Sequence, residues 1–91
     1  MLFMVVETFE ERNLIRVRDR FQSKGRLMPD GLNYVTSWMT SDGTKCFQLM
    51  QTSAVELLNV WVSNWNDIVS FEVVQIEVSA EFWDRFNLEN L

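Results

Sequence analysis

Few side chains in this sequence are equipped for chemistry. Cys46 is the only thiol and there is no histidine, so a nucleophilic Cys46 or an activated hydroxyl lacks its usual base. Lys45 adjoins Cys46, but strand alternation sends it to the opposite face, where it does not lower the thiol pKa. Between Lys45 and Phe47, Cys46 reads as a small buried apolar residue, with a place on the wall of an internal cavity as the alternative. Thiolate and imidazole metal sites have no ligand set. Glu72 and Glu77 fall on opposite strand faces and Glu10 and Glu11 belong to a helix start, so the carboxylates gather no cation site. Haem would have only Tyr34, Cys46 or a Met as axial ligand. No cofactor and no metal are expected.

The remaining candidates lie on a central hairpin. Ser37, Met39, Cys46, Gln48 and Met50 share one strand face, an apolar surface with a few polar groups of the kind that holds a small lipophilic ligand. Gln48, once buried, needs a partner, which a ligand, a water or a symmetry mate would supply. Tyr34 and Trp38 are read onto the other face, away from Ser37 and Gln48. An open interior beside Gln48 and Ser37 would keep ligand binding alive, whereas filling by Met39 and Met50 would discard it. The sharpest charge pattern is basic: Arg12, Arg16, Arg18, Arg20, Lys24 and Arg26 are six of the eight cationic residues. A phosphate-bearing ligand is one reading of it. The simpler one is a helix flank meeting solvent and carboxylates such as Asp19 and Asp30.

These residues need elements to position them. Leu2 to Val6 is a bulky apolar run that reads as a strand buried on both faces. Thr8 and Glu11 fit a capping box opening a first helix, whose apolar stripe is Leu14, Val17 and Phe21 and which Gly25 stops. A turn at Met28-Pro29-Asp30-Gly31 leads to a second strand, Leu32 to Thr40. Asp42-Gly43 then signals a type I′ hairpin into a third strand, Lys45 to Gln51, with Ser37 facing Gln48, Trp38 facing Phe47 and Val35 facing Met50. Ser53 and Glu56 fit a second capping box, and Leu57, Leu58, Trp61, Val62 and Trp65 form the face of a second helix ending near Asn66. Ser70 to Val78 reads as a fourth strand, and Ser79 as the cap of a tail helix reaching Phe86. The order is βαββαβ, an α+β ferredoxin-like domain over residues 1–91 with its tail at 79–91.

At 91 residues with 47% apolar content, seven Phe, four Trp, three Gly and one Pro, the chain is ordered but short for a self-sufficient core. Two helices cover one sheet face, so the other should be polar. Instead Phe3 and Val5 oppose Leu2, Met4 and Val6, and Phe47 and Leu49 oppose Cys46 and Met50. A second copy related by a two-fold axis is the expected cover. Coverage by the tail, with Phe82, Trp83, Phe86 and Leu88, is the rival. The charge of −5 argues against nucleic acid and anionic lipid. Met1 to Val6 lacks a basic leader and is too short for a membrane span, and the lone Cys suits a reducing cytoplasm.

Met1-Leu2-Phe3-Met4-Val5-Val6-Glu7-Thr8, Gly31-Leu32-Asn33-Tyr34-Val35-Thr36-Ser37-Trp38, Cys46-Phe47-Gln48-Leu49-Met50-Gln51-Thr52 and Val78-Ser79-Ala80-Glu81 resemble the small bacterial proteins grouped as domain of unknown function family 3303. That likeness runs to about Trp83. The family is similar to the dimeric α/β-barrel superfamily, which implies two ferredoxin-like sheets packed into a barrel with a pocket inside each subunit. Its members range from cofactor-free oxygenases and isomerases to regulatory domains, so no activity transfers with the fold. The expected function is a homodimeric small-molecule-binding or regulatory domain without catalysis of its own. The alternative is a cofactor-independent oxygenase or isomerase acting on a small aromatic or lipophilic substrate.

Overall fold

The computed structural model describes residues 1–86. Its elements are β1 (Leu2–Thr8), a 3-10 turn (Glu11–Asn13), α1 (Leu14–Lys24), β2 (Asn33–Met39), β3 (Lys45–Gln51), α2 (Glu56–Ser63), β4 (Ser70–Ile76) and α3 (Ser79–Asp84). The sheet runs β2-β3-β1-β4 with every neighbouring pair antiparallel. This is the α+β, ferredoxin-like arrangement that the order of apolar runs predicts.

Strand alternation decides what lies beneath the helices. β1 buries Phe3, Val5 and Glu7, and β3 buries Cys46, Gln48 and Met50. Leu58 and Trp61 of α2, followed by Trp65, recur at spacings of three and four, so one helical face closes the core with Leu32, Ile68 and Val69. The predicted α1 stripe behaves differently. Val17 packs on the core, but no residue of α1 is buried, and Leu14 and Phe21 stay more than a third exposed. α1 thus stands off the sheet, and that separation leaves room for a cavity.

A two-pronged ion pair holds α1 in place. Arg20 Nη1 and Nη2 donate to the two Asp67 carboxylate oxygens at 2.7 Å each, and Nη1 also donates to the Asn64 carbonyl at 2.9 Å. The guanidinium draws the Asp67 carboxyl down to about 2. A carboxyl whose pKa is depressed on folding stabilises above its unfolded value, near 3.9, and loses that contribution as pH falls through the folded one. Asp67→Asn is therefore expected to lower the melting temperature at pH 7 and to weaken the acid dependence between about pH 4 and 2, as read by thermal melts across that window.

Local detail departs from the sequence reading in several places. The Thr8–Glu11 box does not form, because Thr8 stays in β1 paired with Lys45 and Ser70, and ladder bonds satisfy the backbone there. Glu10 is the cap residue of the 3-10 turn, and its carboxylate takes the Arg12 Nε–H at 2.6 Å. The Ser53–Glu56 box is likewise absent. Thr52 Oγ1 instead accepts the Ala54 N–H at 3.1 Å, and α2 begins at Glu56. The tail helix is shorter than predicted, ends at Asp84 and starts from Val78 with no side-chain cap. Leu88 and the rest of the predicted tail lie outside the described residues.

The hairpin keeps the predicted pairs Ser37–Gln48 and Trp38–Phe47, with Met39 paired to Cys46, but not the type I′ turn. Gly43 alone has positive φ, +74°, and Asp42 serves through its carboxylate, which accepts from the Thr40 hydroxyl, the Thr44 hydroxyl and the Thr44 N–H. Further along, the register shifts between Tyr34 and Thr36, so Tyr34, rather than Val35, pairs with Met50. This β-bulge turns Tyr34 onto the face of Ser37 and Gln48, correcting the reading that separated them.

The opposite sheet face carries Leu2, Met4, Val6, Phe47, Leu49, Val74, Ile76 and Trp38, with the polar Thr36 beside Leu49 and Glu72 beside Val6. α3 does not close it: Trp38 is 54% and Val74 43% exposed. α3 stacks its aromatic residues on one another, with Phe82 and Trp83 edge to face at 5.0 Å between ring centres, and Arg85 is paired with Glu77 at 2.7 Å.

Candidate functional site

Glu7 continues the buried alternation of Phe3 and Val5, which places a carboxylate where an apolar side chain would be expected, at only 6% exposure. Its cross-strand neighbour is Cys46, and Val5 faces Gln48. Gln48 Nε2–H donates diagonally to Glu7 Oε1, and Gln48 Oε1 accepts from Arg26 Nη1 at 3.3 Å. The partner that buried Gln48 requires is therefore internal. Next to it, Ser37 and Tyr34 hydroxyls are bonded at 2.6 Å, a contact that the β-bulge makes possible.

Arg26 owes its position to the backbone. Gly25, at φ +67°, ends α1, and Leu27 is the one described non-glycine residue with positive φ, +57°. Three side-chain donors hold this turn. Trp61 Nε1 and Trp65 Nε1 both donate to the Arg26 carbonyl, at 3.0 and 2.8 Å, and Asn64 Nδ2 donates to the Leu27 carbonyl at 2.9 Å. The guanidinium then lies 3.6 Å from the Tyr34 ring centre and 5.4 Å from that of Phe21, where stacking fixes the direction of its N–H groups.

Between sheet and helices lies a cavity of about 120 Å³. Glu7, Arg26, Ser37, Cys46 and Gln48 form its polar end, while Phe9, Val17, Phe21, Trp61 and Trp65 form its apolar walls. Of the five residues singled out in the sequence, Ser37, Cys46 and Gln48 line this space. Met50 is wholly buried in the core and Met39 is exposed on the edge strand, so neither does. Glu7 and Arg26 were missed. The signal for Glu7 was its place two residues beyond Val5 on a buried face. For Arg26 it was the preceding Gly25, which removes it from the helical row of arginines.

Loss of water on burial raises the Glu7 pKa, against the opposing pull of hydrogen bonds from Gln48 and Cys46 and the charge of Arg26. Burial first, then the Glu7 charge and hydrogen bond, push the Cys46 thiol up to about 11. Cys46 therefore stays protonated at neutral pH, which removes thiolate chemistry. For Glu7 the stability consequence has the opposite sign to that of Asp67. A carboxyl whose pKa rises on folding costs stability above that pKa and is relieved as pH falls toward its unfolded value near 4.3. Glu7→Gln is expected to stabilise the fold at pH 8 by on the order of 1 kcal/mol, about 4–8 °C in melting temperature, with less gain at pH 5. Melts at the two pH values read this directly, and an equal or lower melting temperature at pH 8 would contradict it.

Among the described residues no group of three ligating side chains gathers for a metal, and no described helix is long and apolar enough to cross a membrane. No curated protein and no solved structure matches the chain. A family model does, over residues 1–85; the chain belongs to the family described as Domain of unknown function (DUF3303).

Proposed function

We propose that this chain is a homodimeric domain that binds one small lipophilic molecule inside each subunit and has no catalysis of its own. The observation that carries the reading is a carboxyl, an amide and a guanidinium joined at one end of an otherwise apolar cavity. Burying Glu7 costs stability in a domain too small to spare it, and such costs are characteristic of binding sites. A dry cavity of about 150 Å³ is known to accept benzene. A volume of about 120 Å³ therefore fits a single ring or a short branched chain with one polar end.

The homodimer in this reading rests on the sheet face that the helices leave open. The open sheet face is mainly apolar, with Thr36 and Glu72 among its polar members, and a two-fold related copy would bury the apolar centre against itself. The net charge of −5 argues against nucleic acid and anionic membranes as partners, and a lone buried thiol suits the bacterial cytoplasm.

The test is a nuclear magnetic resonance titration with single-ring and short-chain compounds, followed at the indole N–H signals of Trp61 and Trp65. Saturable shifts at millimolar concentration or below are expected from some members of the panel. Silence from every member would end the proposal. A second reading, cofactor-independent enzyme chemistry, has Glu7 in its favour, since a buried carboxyl of raised pKa is a serviceable general base. Turnover that Glu7→Gln abolishes would select that reading.

A further inference from the structure

Building on the ligand-binding reading, the geometry points to the class of molecule: we infer that the cavity takes a small monocarboxylate, its carboxylate on the Arg26 guanidinium and its apolar body between Phe21, Trp61 and Trp65. Arg26 has five N–H donors, of which one is engaged among the described residues, by Gln48 at 3.3 Å. Its face is stacked on Tyr34 at 3.6 Å, so the remaining donors radiate in the guanidinium plane. A planar, two-oxygen acceptor matches that fork, and a carbonyl or hydroxyl fills only part of it. The backbone beneath is held by two indoles and an amide, which makes the fork preorganised rather than assembled on binding. The other walls are hydrocarbon and aromatic, which favours an acid with an apolar body over inorganic phosphate.

A second carboxylate beside Arg26 would repel Glu7. The titratable or charged groups that bear on Glu7 are Cys46 from β3 and Arg26 from the turn after α1; its β4 partner is Phe71, and the helical wall contributes Val17, Phe21, Trp61 and Trp65. Cys46 is already protonated and Arg26 is the anion's own partner, so Glu7 is the group that yields. It takes one proton from solvent as the anion enters, on the oxygen that Gln48 does not occupy. The balance is protein plus carboxylate plus one proton, with no covalent bond made or broken. Protonated Glu7 then has an O–H to offer the bound anion.

Calorimetry with benzoate and its neutral isostere benzamide, plus inorganic phosphate, decides the matter on the wild-type protein. Benzoate is expected to bind at least about tenfold tighter than benzamide at pH 6, one good charge-assisted pair. Its Kd should rise by up to about tenfold per pH unit once Glu7 is ionised in the free protein, with proton uptake visible between two buffers of different ionisation enthalpy. Glu7→Gln should flatten that pH dependence. Arg26→Gln, which leaves the clamped Arg26 backbone carbonyl in place, should erase the preference for benzoate. Benzamide binding as well as or better than benzoate, or benzoate binding without proton uptake above the pH at which Glu7 ionises in the free protein, would overturn the inference while leaving the cavity reading intact. Phosphate displacing benzoate at equal concentration would also overturn it. Failure of every compound to bind would remove both.

Discussion

Phe47→Asp is expected to turn a dimer into a monomer. Phe47 lies in the middle of the open sheet face, paired with Val6 of β1 on one side and Trp38 of β2 on the other. Met4 and Leu49, the next cross-strand pair, extend the same patch. In a two-fold interface each substituted residue appears twice, so the change loses two buried rings and brings two carboxylates into an apolar layer. Central aromatic residues typically cost about 2–4 kcal/mol when lost from an interface, which is about 30- to 700-fold in Kd. Sedimentation velocity at micromolar concentration reads the result. Val60→Asp is the control, because Val60 is exposed on α2, the helix-covered side; that variant should sediment with the wild type. A wild-type protein that sediments as a single chain would refute the dimer outright, and so would a Phe47→Asp chain that remains dimeric.

The same face shows why much of this fold is readable from residues alone. Leu2 to Val6 and Lys45 to Gln51 carry apolar residues on both sides, so they mark central strands. The Asp42-Gly43 pair sets the hairpin register even though Asp42 adopts ordinary φ and a different turn results. What escapes is local and has a physical reason. Asn33-Tyr34-Val35-Thr36 has no Gly or Pro to announce a bulge, and the observed bulge places the Tyr34 ring against Arg26 and its hydroxyl on Ser37. Those contacts belong to tertiary structure. The capping boxes match in spelling and fail in place, because Thr8 has ladder partners to satisfy it first. The candidate site is half legible for a related reason. Ser37, Cys46 and Gln48 sit on a strand with a fixed period of two, so their shared face follows from spacing. Glu7 reads as the end of an apolar run, and Arg26 as one more exposed arginine. Only the clamp on its carbonyl brings it inward.

That clamp supplies the largest expected loss of stability. Trp61 is 2% exposed, meets Phe71 edge to face at 5.5 Å between ring centres, and donates to the Arg26 carbonyl. Trp61→Ala removes the ring and the donor and leaves a hole that the sheet cannot collapse to fill. The expected cost is about 3–5 kcal/mol, a large fraction of the 5–15 kcal/mol that holds a typical domain together. Urea melts should show a midpoint shifted far down or no folded baseline. Trp61→Phe separates packing from hydrogen bonding. It keeps most of the ring, and Trp65 still donates to the same carbonyl, so a cost of about 1–2 kcal/mol is expected. Trp65→Phe alone should behave alike. Together the two changes leave the Arg26 carbonyl without either indole, and a buried acceptor stripped of its last donor costs more than the first loss did. The cost of the double variant should therefore exceed the sum of the two single costs by about 0.5–3 kcal/mol, and its preference for benzoate over benzamide should shrink because the guanidinium is no longer held. Strict additivity in the urea cycle would mean that the indoles act by packing alone, and that some other contact fixes Arg26.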